Sequence, residues 1–322
     1  MKLAIFISAA ALALSCSSCN SPAAPEDPDS CLWDLSVYRT VSVTVDVDKE
    51  LSFFTDIRLD EEQPAGTNSQ KDNAPTLRYI VKAFRHGSTQ QVASASGLNP
   101  TLEISLPVGK IDLIAWVDYV DPSLCKDKYF FTDDFNEMLV MSKYPYYAND
   151  RHKICYRGKK SVIMAYNTRS LTVDVAPAMG QLRIIAVDEF RSDVKNIQIS
   201  YPAGVPSAIN AFSGEISYVW NDVFFNTTPQ KLDNGDWLLA VDNIFTGEKQ
   251  ISVPFRINMT DADGETVARR LKIEAPMKRG GITEVRGKFF SILEDLPPAP
   301  PGPGSGGLVI DPNLNDTIIY YL

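Results

Sequence analysis

The chain has 322 residues, with 31 Lys and Arg against 40 Asp and Glu, and a formal charge of −9. Its 44% hydrophobic content is enough to build a packed core, which excludes a wholly disordered chain. The acidic excess argues against a nucleic-acid-binding protein, because phosphate contacts require surplus Lys and Arg. The only two histidines are His86 and His152, so composition indicates no catalytic chemistry.

The N-terminus has the pattern of a secretory signal peptide. Lys2 precedes an apolar run over 3–14, shorter than the roughly 20 residues that a membrane-spanning helix needs. The run ends in Ala-Leu-Ser before Cys16, which resembles a bacterial lipobox. We therefore predict a signal peptide over 1–15 and a lipid anchor with acyl chains such as palmitate on Cys16. Cys19 is the alternative site.

A tether is predicted between the lipid anchor and the folded part. Residues 16–35 contain a stretch rich in Pro, Ser and acidic residues, which cannot build a core. If Cys16 carries lipid, four cysteines remain in an envelope compartment that permits disulfides: Cys19, Cys31, Cys125 and Cys155. Four thiols allow three pairings, and the sequence does not choose among them.

Alternating strands dominate a predicted first domain over 36–175. In 40–47 four valines alternate with polar residues, the pattern of a half-buried strand. Pro-Val-Gly-Lys at 107–110 resembles a hairpin turn between two strands. A short helix is predicted over 133–141. The other strands predicted here are 79–84, 102–106, 111–117, 161–164 and 171–175.

A second predicted domain over 176–295 shows the same pattern of alternating strands separated by turns. The turn Asp-Ala-Asp-Gly at 261–264 predicts a hairpin between its two flanking strands. Short strands at this spacing, with few helices, indicate an all-β protein built from two tandem β-sandwiches. The strands predicted here are 181–187, 196–201, 215–220, 237–241, 250–258, 266–273 and 284–290.

The C-terminus carries a linker and a strand segment. Residues 296–307 hold five prolines and four glycines, which makes them a linker with no fold of their own. In 308–322 β-branched and aromatic residues predict a strand. Three fates stay open for it: docking on its own sheet, donation to another subunit, or a mobile tail. The candidate partner-binding residues are Leu308, Val309, Ile310, Ile318, Ile319, Tyr320 and Tyr321.

Motifs for catalysis are weak or absent. Residues 261–265 lack the spacing of a calcium loop, and 158–161 lack the upstream glycine of a P-loop. A glycosidase pair would need two positioned carboxylates, but acidic residues are common throughout this chain. The carboxylates weighed for that role are Asp118, Asp121, Asp133 and Asp134. We expect no catalytic residue, no metal and no cofactor.

Five segments together resemble the fimbrillin superfamily of Bacteroidales in their order and spacing. The acidic cluster after Cys16 likewise resembles export signals of surface lipoproteins in these bacteria. The segments are 109–119 (GKIDLIAWVDY), 176–184 (APAMGQLRI), 201–214 (from Tyr-Pro to Asn-Ala-Phe-Ser-Gly), 239–245 (LAVDNIF) and 281–289 (GITEVRGKF).

The resemblance implies two transthyretin-like β-sandwich domains and a non-enzymatic role in fimbriae or adhesion, by β-strand addition. It implies other fimbrial subunits as partners, an outer membrane location, and a host or bacterial surface ligand. In this family, polymerising subunits lose an N-terminal strand to an Arg-specific protease, whereas anchoring subunits keep theirs. The arginines of the first domain that this concerns are Arg39, Arg58, Arg78 and Arg85.

A glycan-binding surface lipoprotein of a polysaccharide-uptake system is the alternative function. It would present aromatic platforms to sugars, with Tyr146 and Trp220 as the candidates.

Overall fold

A computed structural model describes residues 36–47, 75–121, 126–132, 139–142, 146–150, 152–292, 308–310 and 317–321. Within these ranges the regular elements are 22 β-strands, so the predicted all-β class is confirmed. The strands form two large layered assemblies and one small sheet between them.

Eight strands build the first sandwich. They are β1 (Tyr38–Val47), β2 (Thr76–Arg85), β3 (Gln91–Gly97), β4 (Thr101–Pro107), β5 (Gly109–Asp121), β6 (Lys126–Asp127), β9 (Cys155–Met164) and β10 (Ser170–Pro177). Their order is β3-β2-β5-β9-β10-β1-β4, with β6 paired to β5. β9 and β10 pair only near Ala176 and Pro177, where the sheet turns from one layer into the other.

The alternation of β1 explains its place in this sandwich. Val41, Val43 and Val45 are buried, while the residues between them are partly exposed. They share one apolar cluster with Leu113 and Ala115 of β5, in the opposite layer. Burial of such side chains contributes about 1.5–3 kcal/mol each, which fixes the register of β1 because a slip by one residue would expose all of them.

The second sandwich consists of two sheets. The strands are β11 (Met179–Ala186), β12 (Asn196–Tyr201), β15 (Val223–Thr227), β16 (Gln230–Lys231), β17 (Trp237–Phe245), β18 (Ile251–Thr260), β19 (Thr266–Met277), β20 (Ile282–Gly287), β21 (Leu308–Ile310) and β22 (Thr317–Tyr321). One sheet has the order β16-β17-β11-β20-β22-β21 and the other has the order β15-β12-β18-β19. Their facing side chains form a second apolar cluster, with Phe255 and Phe289 among its largest members.

A small sheet joins the two parts of the chain. It has the order β14-β13-β8-β7, where β7 is Phe130–Phe131, β8 is Leu139–Ser142, β13 is Ala208–Asn210 and β14 is Ile216–Ser217. Beside it lies a third apolar cluster that contains Trp116 and Phe130 from the first part and Phe245 from the second. The two sandwiches are therefore held together by a shared buried core.

Two local predictions are wrong. Residues 107–110 do not make a hairpin, because β4 pairs with β1 while β5 pairs with β2 and β9. The connection instead crosses between layers, and Gly109 has a φ of 134° there. The helix expected over 133–141 is wrong for residues 139–141, which belong to β8; residues 133–138 lie outside the described residues.

The hairpin at 261–264 is confirmed. β18 and β19 pair antiparallel across it. The amides of Asp263 and Glu265 donate to the Asp261 carboxylate, and Gly264 has a φ of 87°, a left-handed conformation that suits glycine.

Close packing at Gly158 gives a stability prediction. A Cβ at this position would lie 2.1 Å from the Asp174 carbonyl oxygen, which the backbone cannot easily relieve. We expect Gly158→Ala to lower the free energy of unfolding by about 1–3 kcal/mol, measured by urea denaturation. Gly97→Ala is the matched control, because its Cβ would meet only a terminal methyl of Leu102 at 3.1 Å. An equal or larger loss in the control would contradict the prediction.

Candidate functional site

The predicted lipid-anchor residues lie outside the described residues. This holds for Cys16, Cys19, the signal peptide 1–15 and most of the tether, since the description begins at residue 36. Cys155 is a buried free thiol, so the structure contains no disulfide at this cysteine.

The predicted C-terminal strand is present and lies on the chain's own sheet. β22 pairs in parallel with β20, with Ile318 beside Thr283 and Tyr320 beside Val285. β21 pairs antiparallel with β22 and forms the sheet edge. The seven candidate partner-binding residues thus belong to these two strands. Thr283 and Val285 of β20 are buried.

A segment before β9 lies against β17 and carries the buried charge of Lys153. We call it the junction loop: residues 146–150 and 152–154. The backbone amide of Asn149 donates to the Val241 carbonyl, and the Val241 amide donates to the Asn149 side chain, both at 2.8 Å. Asn149 also donates to the Thr227 hydroxyl at 2.8 Å. Asn149 therefore pairs with β17 as a neighbouring strand would.

Lys153 and Asp242 form a buried ion pair beneath this contact. The Nζ of Lys153 donates to Oδ1 of Asp242 at 2.9 Å, and each side chain is only 2% exposed. The hydroxyls of Tyr146 and Tyr201 both donate to Oδ2 of Asp242, each at 2.7 Å. Nζ also lies 3.7 Å from the ring centre of Tyr146. Both carboxylate oxygens are therefore hydrogen-bonded.

Burial dominates the electrostatics of this cluster. Desolvation lowers the pKa of Lys153, although the neighbouring Asp242 charge opposes that shift. Desolvation, aided by the Asp242 charge, raises the pKa of Tyr146 and Tyr201 well above the usual value. Both tyrosines consequently remain protonated donors in the folded protein.

Neither Lys153 nor Asp242 stands out as a site residue in the amino-acid sequence. Lys153 follows charged residues and resembles a solvated loop. Asp242, however, interrupts an otherwise mostly apolar strand whose residues from 238 to 245 are all buried. A charge in such a run needs a buried partner, and this is the signal that could have marked the site.

The aromatic platforms proposed for sugar binding are engaged by the protein itself. Tyr146 is partly buried against the second core, with its hydroxyl bound to Asp242. Trp220 is packed against the same core, and its indole N–H donates to the Ser142 carbonyl at 3.2 Å.

The carboxylates and histidines weighed for catalysis have structural partners where they are described. Asp118 is buried and accepts two hydrogen bonds from Arg78, which also reaches Asp127. The Asp112 carboxylate accepts hydrogen bonds from the His86 ring and from the Ser161 hydroxyl. Asp133 and Asp134 lie outside the described residues, and Asp121 ends β5.

The arginines considered for proteolysis differ in access. Arg78 is buried in its ion pair, whereas Arg39 and Arg85 are exposed on β1 and β2. Arg58 lies outside the described residues.

No helix among the described residues is long and apolar enough to cross a membrane. No group of three or more His, Cys, Asp or Glu side chains among them is arranged to hold a metal ion.

Comparison with known families assigns the chain. Residues 39–320 match the model of a family of unknown function, DUF6562. The chain belongs to this family. The match to DUF6562 spans both sandwiches and ends at residue 320, within β22. No curated protein matches it.

Solved structures with a similar arrangement include fimbrial proteins. The fimbrial anchor protein Mfa2 from Porphyromonas gingivalis is 11% identical, with a TM-score of 0.46, covering 73% of this chain and 82% of that one. The tip fimbrial protein Mfa3 from the same organism is 10% identical, with a TM-score of 0.39 and coverages of 74% and 81%. A fimbrial assembly protein from Parabacteroides distasonis is 7% identical, with a TM-score of 0.38 and coverages of 78% and 91%.

The buried tyrosines predict a loss of stability in alkali. Burial raises the pKa of Tyr129, Tyr146, Tyr156 and Tyr201. Above a pH of about 10 the unfolded chain releases these protons while the folded chain keeps them. The folded state then binds more protons, so the free energy of unfolding should fall as pH rises through about 10.

Tyrosinate absorbance and circular dichroism, recorded over one alkaline titration, check this. We expect the buried tyrosines to ionise only as the fold is lost. Chain unfolded in urea is the control and should titrate near a pH of about 10. Full ionisation of all tyrosines with the fold intact would contradict the prediction.

Proposed function

We propose that this chain is a non-enzymatic, lipid-anchored cell-surface protein that acts as a fimbrial anchor or accessory subunit. It joins its partners by β-strand addition. The observation that supports this proposal is the position of β22, which follows the linker 296–307 and adds to β20 in parallel. Parallel neighbours need a long connection, and residues 288–316 separate these two strands in sequence.

Strand addition suits such an arrangement. Main-chain hydrogen bonds supply the affinity, and alternate side chains set the register. The bonds between β20 and β22 depend on backbone groups, so the same segment from a second subunit would satisfy the same edge of β20. The linker 296–307 gives the strand the reach for either partner.

Location follows from the sequence pattern of the N-terminus. Signal peptide, lipid on Cys16 or Cys19, and an acidic tether together support an outer membrane anchor that leaves the folded part outside the cell. We retain 36–175 and 176–295 as the two domains of this proposal. Its partners are the outer membrane, other fimbrial subunits, and a host or bacterial surface ligand.

Deletion of residues 308–322 tests the strand mechanism. We expect the free energy of unfolding to fall by roughly 2–5 kcal/mol, because β20 keeps β11 but loses its other neighbour, and apolar surface becomes exposed. A synthetic peptide of residues 308–322 should bind the truncated chain and restore its stability, measured by calorimetry and thermal melting. The full-length chain should bind the peptide far more weakly, since its own β22 occupies the edge.

The control peptide carries Ile319→Pro, which removes one backbone donor in the middle of β22. It should bind much more weakly than the native peptide. Unchanged stability of the truncated chain, together with no peptide binding, would refute strand addition at β20.

Lipid attachment is tested by metabolic labelling with a fatty-acid analogue. We expect label on the wild-type chain and its loss in Cys16→Ala, because the thiol of that residue is the attachment atom. Cys155→Ala is the control and should keep the label, since this thiol is buried in the fold. If only Cys19→Ala loses the label, the lipid is attached to Cys19 instead of Cys16. If Cys16→Ala and Cys19→Ala both keep the label, the proposed lipid anchor is refuted.

A further inference from the structure

The amine of Lys153 and the carboxyl group of Asp242 form an ion pair, and they are also placed as two groups that could react with each other. Their contact joins two chain segments that are far apart in sequence, the junction loop and β17. Nζ lies 2.9 Å from Oδ1, so the carboxyl carbon is only one bond beyond the contact. Both groups are held from several sides, which fixes the amine against the carboxyl group as an intramolecular reaction requires.

The second carboxylate oxygen of Asp242, Oδ2, accepts hydrogen bonds from two tyrosine hydroxyls. Tyr146 and Tyr201 approach Oδ2 from the junction loop and from β12, each at 2.7 Å. Attack on the carboxyl carbon would place negative charge on this oxygen. Two preorganised donors at that distance are the geometry of an oxyanion hole.

Burial favours the reaction in two ways. With 2% exposure on each side chain, the pair is shielded from bulk water, which strengthens the tyrosine donors and disfavours hydrolysis of the product. Desolvation also lowers the pKa of Lys153, which makes the neutral, nucleophilic amine more accessible.

We propose that Lys153 and Asp242 condense to an intramolecular amide that covalently joins the junction loop to β17. The ammonium first passes one proton to Oδ1. The Nζ lone pair then attacks Cγ, forming the C–N bond, while Tyr146 and Tyr201 hold the charge on Oδ2. A second proton moves from nitrogen to Oδ1, the Cγ–Oδ1 bond breaks, and water leaves. Oδ2 remains as the amide oxygen, so the step needs no oxidant and no cofactor.

The consequence is mechanical. The hydrogen bonds of Asn149 already hold the junction loop on β17. An amide at Lys153 would make this attachment permanent, so the two sandwiches could not separate at the loop under load or in denaturant.

Peptide mass spectrometry of the purified full-length chain tests the proposal. Trypsin cleaves after Lys153 only if its side chain is free. The amide should therefore yield peptide 152–157 joined to peptide 232–249, with a mass one water below the sum of the two. Tandem spectra should place the link on Lys153 and Asp242. The intact chain should also be one water lighter than Lys153→Arg, after correction for the substitution.

Lys153→Arg is the matched variant, because it keeps the positive charge beside Asp242 but cannot form this amide. Tyr201→Phe removes one of the two donors and should give a mixture of linked and unlinked chains. Separate, unlinked peptides 152–153 and 232–249 from the folded wild-type chain would overturn the proposal and leave a non-covalent ion pair. A water loss that persists in Lys153→Arg would also overturn it, as dehydration at another site.

Discussion

The burial of Asp242 in the middle of β17 is the constraint on which the junction depends. A carboxylate with 2% exposure is unfavourable unless its charge and its oxygens are matched. Lys153 and Tyr146 come from the junction loop and Tyr201 comes from β12, so the pair forms only when all three segments are in place. The charge of Asp242 thus specifies where the loop must lie, while the apolar clusters supply most of the burial energy.

The same constraint relates the two sandwiches to each other. The small sheet pairs β8 with β13, and the third apolar cluster places Trp116 near Phe245. Apolar contacts of this kind allow the two surfaces to shift against each other, whereas a hydrogen-bonded ion pair requires one defined geometry. Lys153 and Asp242 therefore add specificity to an interface that packing alone would hold less uniquely, as buried polar groups do in some other proteins.

Sequence predicted strands well where a pattern was local. The valines of β1 and the turn at 261–264 depend only on neighbouring residues, and both predictions are confirmed. The turn at 107–110 has equally good turn residues, but its flanking strands find partners elsewhere, in β1 and in β2. Turn residues show that the chain changes direction at such a position. Whether the two flanking strands then pair as a hairpin or the chain crosses to another layer depends on long-range strand pairing. Lys153 and Asp242 were missed for the same reason, because 88 residues of sequence lie between two groups that recognise each other in space.

The edge of β20 and the junction have different chemistry, and this separates their roles. β22 is bound to β20 through a regular parallel register, and such backbone pairing accepts any chain that presents the same alternation. The junction depends on particular side chains at fixed distances, which no substitute segment would reproduce. A subunit that joined its neighbours by strand addition, as proposed above, would need both properties. It would need one edge where the partner can change, and an interior connection that keeps its own two sandwiches together while that change takes place.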